Sequence, residues 1–495
     1  MSDEPASSGI VDRKEELREL RHLLDPGEPR LALLTGRRRI GKTFLLANAW
    51  SSRGAFLFTA ARTSPELNRR QLLTDLANWS GEPLDVEDYP TWRSVFNLLL
   101  ETRAPEPTVL VIDEFQYLAN DETGLAEVAS ELNAAWERRR AKRPLLLVLS
   151  GSAVTTMEAL AGGGAPLYGR FHWQHRLEPF NYWNTAQMTP FPSLRDRAQT
   201  YGVFGGTPRF LAVVDVEQAF AENVVRLMLS PRGEVRQLVE TALDQEEGLR
   251  DVSSYKAIMR SVAAGQTLRN EIAQRAGLTN DSGLRAKLDR LVELGYLEAR
   301  RNVDAKANEP FRYRIADPAF RFHQRFVEPN LSLLERVDPH EVWSSAVEAK
   351  LPLFMGLEFE RIAVQAYDRL RGTKGLPIVK EWGRWEGRDR AGRSLEVDLV
   401  APLVGGGMLT GAVKWGQEPV SIGLHYEHLE MLERAAHAGR GWAHEALSGK
   451  SVLYYLAAGG FEDGFEGQAR RSGQRVICWD LEDVYRELAL PTRPA

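Results

Sequence analysis

Short, almost continuously apolar runs recur along the first 150 residues, and three of the four stop abruptly at glycine or charge. They are LALLT before Gly36, AFLFT at 55–59, TVLVID ending on Asp113, and LLLVLSG at 145–151. Runs of this length without strict alternation predict strands buried on both faces, the pattern of a parallel sheet covered by helices. Longer polar stretches separate them, such as the one from about Pro65 to Trp79, which predicts a helix. Strand–helix alternation of this kind predicts an α/β fold.

Further along, the rhythm changes. Leu284, Leu288 and Leu291 recur at helical spacing, Thr267 is placed to cap a preceding helix containing Ile272 and Ala273, and Gly277 turns the chain between the two. Gly295 ends the second helix, Tyr296-Leu297 starts a strand, and Phe311–Ile315 returns as its hairpin mate. The whole predicts a winged helix. Beyond residue 390, LEVDLV and GAVKW alternate with period two and predict two strands of a hairpin.

With 495 residues, the chain is too long for one core. We divide it into a nucleotide-binding domain at 9–230 with a helical lid, a winged-helix domain at 231–335 and a C-terminal α/β domain at 340–490. A hydrophobic content of 43%, with 26% charged residues, is that of a globular protein. The net charge of -5 excludes a uniformly basic surface, so any contact with nucleic acid has to be local. The lone cysteine, Cys478, excludes an intrachain disulfide framework and points to the cytoplasm. MSDEPASSG has no secretory character, and LLLVL at 145–149 is too short to span a bilayer, so no membrane role is expected.

Between the first strand and the next helix stands GRRRIGKT, residues 36–43. Glycines let the backbone curl so that successive N–H groups face phosphate oxygens, Lys42 reaches the outer phosphates, and Thr43 ligates Mg²⁺. The expected nucleotide-binding stretch is therefore Gly36, Arg37, Arg38, Arg39, Ile40, Gly41, Lys42, Thr43 and Phe44. Arg37 to Arg39 equally read as a solvated loop. The acids closing TVLVIDE are placed at the phosphate end of the sheet, Asp113 to support Mg²⁺ and Glu114 to orient the attacking water, although such a pair also suits a helix cap. Ser150 and Ser152 end the strand expected between these elements and would sense the γ-phosphate, with Ser152 also suited to cap the next helix. Arg170, after the glycines at 162–164, suits either transition-state neutralisation or a structural ion pair.

In order along the chain, VDRKEEL at 11–17, the P-loop, PLYGR and YGVFGGTPRFL resemble the prokaryotic, originally archaeal, ATPase family in the STAND branch of the AAA-related ATPases. The resemblance implies ATP rather than GTP, with Arg13 near the nucleotide and Pro208 packed near the base or phosphates. It continues into LPLFMGLEFERIAVQAY, similar to the opening helix of the family's restriction-endonuclease-like C-terminal domain. In such a domain, carboxylates hold Mg²⁺ and a lysine orients water. The matching positions are Glu360, Asp398 and Lys414, but Ala412 stands where the pattern has a second strand acid. That loss points to a degenerate site.

Residues 255–330 hold 14 lysines and arginines against 9 aspartates and glutamates. Arg285, Lys287, Arg290, Arg300, Arg301 and Arg312 are the candidate DNA-facing groups, and a packing role for the domain is the alternative. The leading reading is an ATP-hydrolysing switch that couples nucleotide state to DNA or to a protein partner. A Mg²⁺-dependent nuclease, which Ala412→Glu would strengthen, is the second. The third is a signalling scaffold that forms homo-oligomers with ATP.

Overall fold

The computed structural model describes residues 11–25, 27–50, 55–101, 108–139, 144–246, 249–306 and 308–487. The polar N-terminal stretch MSDEPASSG lies outside them. The chain forms two compact units, one spanning residues 1–179 with 207–209, the other 180–206 with 210–495.

In the first unit, strands β1 (Arg30–Thr35), β2 (Ala55–Thr59), β3 (Thr108–Asp113), β4 (Leu145–Gly151) and β5 (Trp173–Arg176) form one sheet in the order β2-β3-β4-β1-β5. Every neighbouring pair is parallel. Alternate residues of the apolar runs face opposite layers. Leu31, Leu33, Leu110, Ile112, Leu147 and Leu149 share a core with the helices Pro65–Ser80, Trp92–Glu101 and Glu122–Arg138. Ala32, Leu34, Val109, Val111, Leu146 and Val148 share the other core with the helices Lys14–His22 and Lys42–Ala49. Both faces are therefore dry, which is why these strands lack polar alternation. Thr35, Asp113 and Gly151 all end at the same edge of the sheet, where an open α/β sheet presents its ligand.

The second unit begins at Phe180, so residues 180–206 pack within it rather than with the first sheet. The boundary expected near residue 230 falls inside this second unit. Three helices, Val252–Ala263, Arg269–Ala276 and Ser282–Glu293, lead to the antiparallel pair β6 (Leu297–Arg300) and β7 (Arg312–Ile315). Leu284, Leu288 and Leu291 are buried together, and Gly277 and Gly295 adopt the left-handed conformation that ends each helix. Thr267 is not the cap: Leu268 occupies that position, and Glu271 Oε2 reaches back to the N–H groups of Leu268 and Thr267, both at 3.1 Å.

The C-terminal sheet runs β12 (Arg475–Trp479), β11 (Val452–Ala457), β10 (Met408–Lys414), β9 (Ser394–Pro402), β8 (Gly383–Arg388). β8, β9 and β10 are antiparallel neighbours, while β10, β11 and β12 are parallel. The helix Leu351–Lys374 reaches this sheet through Ala363, whose carbonyl accepts the Tyr454 hydroxyl of β11. The helix Gly423–His437 reaches it through His428, whose ring meets the Thr410 hydroxyl of β10 at 3.0 Å. Among the described residues, no helix is long and apolar enough to cross a membrane.

Candidate nucleotide site and the polar centre of the second sheet

The loop after β1 owes its shape to its glycines. At Gly36, with φ near 148°, a Cβ would stand 2.4 Å from Ile40 Cδ1 and 2.7 Å from the Leu177 carbonyl oxygen, so no larger residue fits. Gly41, with φ 93°, leads into the helix that opens on Lys42. The Lys42 ammonium is buried and donates to the carbonyls of Gly36 at 2.8 Å and Arg37 at 3.2 Å. It is folded over the loop on acceptors that a phosphate oxygen replaces with stronger, charged ones. Ile40 is buried, Arg37 to Arg39 are half-buried, and Phe44 is exposed on the first helical turn. Arg38 bonds the Tyr117 hydroxyl, so the arginine stretch is more engaged than a solvated loop.

Thr43 Oγ1 donates to Asp113 Oδ2 at 2.5 Å, joining the P-loop to the end of β3. Two hard oxygens held together beside the phosphate loop fit a divalent cation, and Thr43 and Asp113 are the residues that would hold Mg²⁺. Glu114 follows with φ 53°, a left-handed conformation that is uncommon outside glycine and gathers at functional sites. Its Oε2 accepts from Ser152 N–H at 3.1 Å, Ser152 Oγ at 2.7 Å and Gln116 Nε2 at 2.5 Å. Burial pushes the Glu114 carboxyl up, but the Lys42 ammonium and these hydrogen bonds outweigh it and hold the group below its ordinary range. Glu114 is thus ionised and tethered to the end of β4.

Ser150 lies on β4, between β3 and β1, and its buried hydroxyl has no hydrogen-bond partner among the described residues. Ser152 does not cap the next helix, which starts behind Ala153 with no side-chain cap; its hydroxyl is given to Glu114 instead. Gln116 was not among the residues the sequence singled out. Its only signal is its place two residues after Glu114. Pro208 stands beside the loop, with its Cγ 4.0 Å from where a Gly41 Cβ would lie, and Arg209 N–H points to the Arg39 carbonyl at 3.4 Å. Arg13 donates to Glu16 Oε1 at 3.2 Å and to the Glu178 carbonyl at 2.6 Å, one residue from the Leu177 that walls Gly36. Arg170 is engaged elsewhere. Its guanidinium is shared between Asn133 at 3.2 Å and Glu137 at 2.9 Å on the helix Glu122–Arg138, the arrangement of a structural ion pair.

In the second unit, Glu360 and Asp398 line one cavity, but Lys414 does not join them. Lys414 is exposed beside Trp415, Leu424 and Glu427. Ala412, two residues earlier and so on the same side of β10, belongs to the buried cluster of Leu432 and Ala435 from the helix Gly423–His437. Glu360 faces cations instead: Arg384 Nη1 at 3.4 Å and Arg314 Nη1 at 3.9 Å. Asp398 Oδ2 accepts the Val413 N–H at 3.0 Å. These residues do not fit a divalent metal, because guanidinium groups already hold the place of a cation and the lysine is directed elsewhere. Among the described residues, no group of three His, Cys, Asp or Glu side chains is placed to hold a metal ion.

Burial pushes the Glu360 carboxyl up to about 7, against the pull of Arg384 and with the help of neighbouring Asp398. A folded-state pKa raised above the unfolded value contributes stability that is full below the unfolded pKa and is lost as pH rises through the folded one. Glu360 therefore costs the second unit stability between about pH 4.5 and 7, on the order of 2–3 kcal/mol. In Glu360→Gln, the urea midpoint should fall less from pH 5 to pH 7.5 than in the parent. An unchanged difference between the two pH values would show that Glu360 titrates normally.

The basic residues of the helix–hairpin segment are also engaged. Arg285 lies 3.7 Å from Asp289, Lys287 3.1 Å from Asp251, Arg290 3.2 Å from Glu293 and Arg300 2.8 Å from Glu298. Arg312 donates to Thr267 Oγ1 at 3.0 Å, and Arg301 covers the Phe311 ring. The local excess of positive charge is thus partly neutralised where it stands.

Residues 10–214 match the family described as an ATPase domain predominantly from Archaea. Residues 323–427 match a family of archaeal and bacterial proteins of unknown function. An uncharacterised protein of Methanocaldococcus jannaschii is 24% identical over 399 residues, 79% of this chain and 84% of its own. Among solved structures, the Walker-type ATPase of Pyrococcus abyssi is 21% identical, covering 64% of this chain and 96% of its own, with a TM-score of 0.46. The ORC2 protein of Aeropyrum pernix is 15% identical, covering 66% of this chain and 96% of its own, with a TM-score of 0.40. The chain thus carries an archaeal-type ATPase domain at residues 10–214, followed by a C-terminal region of the second family at residues 323–427.

Proposed function

We propose that this protein is a molecular switch in which ATP, bound with Mg²⁺ at the P-loop and hydrolysed there, sets the binding state of the second unit toward DNA or a protein partner. The observation that carries the reading is the convergence of Lys42, Thr43, Asp113 and Glu114 at one edge of the first sheet. Lys42 takes the outer phosphates, Thr43 and Asp113 hold the metal, and Glu114 orients the water for in-line attack. Mg²⁺ supplies charge neutralisation on the phosphates.

The tether on Glu114 supports a switch rather than a fast hydrolase. Ser152 and Gln116 donate to a single carboxylate oxygen, Oε2, which fixes the group in place and weakens it as a base. In this reading Ser150, on the strand between the two acidic and phosphate-binding elements, is positioned to respond to the γ-phosphate, and the helix–hairpin segment is a winged helix. Because so many of its basic groups are engaged by acids, non-specific attraction for DNA should be modest, with a shallow salt dependence. The nuclease reading loses ground, since Arg314 and Arg384 stand at Glu360 where a metal would be needed.

The test is hydrogen exchange across residues 252–315 and duplex DNA retention, each with ATP, with ADP and without nucleotide, in the parent chain and in Lys42→Ala. The parent should change with nucleotide, and Lys42→Ala should not, having lost about 10²–10³-fold in hydrolysis. Exchange and DNA retention that ignore nucleotide in the parent would rule the switch out.

A further inference from the structure

The second unit contains a cavity of about 840 Å³ between the helix–hairpin segment and the helix Leu351–Lys374. That volume lies in the range of sites for small ligands, about 300–1,000 Å³. Six cationic side chains line it, Arg300, Arg314, Arg321, Arg325, Lys350 and Arg361. Three acids do so, Glu298, Glu360 and Asp398.

Several of these cations are already committed. Arg321 meets Glu358 at 2.5 Å, Arg361 lies 3.5 Å from Glu358 and 3.8 Å from Glu298, and Arg300 pairs with Glu298. Arg314 pairs with Glu360 at 3.9 Å. Two others are uncommitted: Arg325 and Lys350 have no hydrogen-bond or ion-pair partner among the described residues.

The same cavity has an apolar wall. Leu353 and Leu357, one helical turn apart, are 79% and 37% exposed, and Phe354 lies between them. Leaving a leucine this open to water forgoes most of the stabilisation its burial brings, which a ligand with an apolar body would recover. Clustered guanidinium and ammonium groups suit a multiply charged phosphate, and guanidinium in particular matches its oxygens in pairs.

We propose that this cavity is a binding site for a phosphorylated small molecule of nucleotide size, with the phosphate on Arg325 and Lys350 and an apolar or aromatic body on Leu353 and Leu357. The concave setting and the leucine wall favour a small molecule over a polynucleotide, which needs a continuous groove with stacking surfaces. This site is separate from the P-loop and stands whether or not ATP acts as a switch.

The full chain carrying Lys42→Ala, which disables the P-loop, is titrated by calorimetry with AMP, octyl phosphate, inorganic phosphate and a single-stranded oligonucleotide. AMP or octyl phosphate should bind more tightly than inorganic phosphate. Adding Arg325→Glu with Lys350→Glu, both exposed positions, should weaken that binding about tenfold or more, as should Leu353→Asp. Circular dichroism establishes that the variants remain folded. Absence of binding by both AMP and octyl phosphate overturns the proposal, as does affinity unchanged by the double substitution. Oligonucleotide binding that the double substitution abolishes, with AMP left unbound, assigns the cavity to a polynucleotide and equally overturns it.

Discussion

Glu114→Gln is expected to bind ATP and Mg²⁺ about as well as the parent while hydrolysing ATP about 10²–10⁴-fold more slowly. The amide is nearly isosteric with the carboxylate and leaves Lys42, Thr43 and Asp113 in place, so the phosphate and metal contacts survive. What disappears is the negative charge that orients and polarises the water, held below the ordinary carboxylate range beside Lys42. Nucleotide affinity by filter retention and phosphate release under single-turnover conditions separate the two effects. Hydrolysis within a factor of three of the parent would remove Glu114 from the reaction. Loss of binding together with hydrolysis would mean that its bonds to Ser152 and Gln116 shape the site rather than restrain the base.

Gly206→Ala should destabilise the second unit by more than about 4 kcal/mol, an exceptional cost for adding one methyl group. A Cβ at this position would stand 1.8 Å from the Phe180 carbonyl oxygen, and the Phe180 N–H donates to the Gly206 carbonyl at 2.7 Å. Two backbone segments meet here directly, so relief requires moving main chain rather than turning a side chain. Gly163, where a Cβ has nothing within 4 Å, is the internal control and should change stability by about 0.5 kcal/mol or less when made alanine. Thermal melts of the two variants test this, and similar midpoints would contradict the close approach.

Much of the first unit was readable because its physics is local. TVLVID and LLLVLSG became β3 and β4 with the ends expected, since a run buried on both faces has to be apolar throughout and has to stop where the chain reaches the ligand edge, while AFLFT became the edge strand β2, buried on one face through Phe56 and Phe58. The helix read from Pro65 to about Trp79 closes at Ser80 for a related reason: Ser64 caps its start, Pro65 suits the first turn, and Gly81 ends it. β5 was missed. WQHR is polar and half-exposed at the sheet's edge, and only its pairing with β1 makes it a strand.

Failures of the reading at the second site have a different origin. The two paired strands expected at LEVDLV and GAVKW are β9 and β10, although β10 is buried on both sides up to Val413 rather than alternating, and Glu360 and Asp398 do share a cavity. No local pattern, however, announces that Arg314 and Arg384 arrive beside Glu360 from distant parts of the chain. Nor does spacing reveal what each side of β10 faces: Ala412 packs into the core beneath the helix Gly423–His437, and Lys414 on the same side emerges beside Leu424 and Glu427. The P-loop is legible because the chemistry is carried by neighbours in sequence; the second site is assembled by topology.

Ala412 has a consequence for anyone who would restore a cutting enzyme from this scaffold. Its methyl group is part of a packed interior, so a glutamate there would bring charge into a dry, closely filled space before it met any metal. The road back from alanine is not one substitution long. The helix Gly423–His437 would have to yield room, Lys414 would have to change direction, and Arg314 and Arg384 would have to release Glu360.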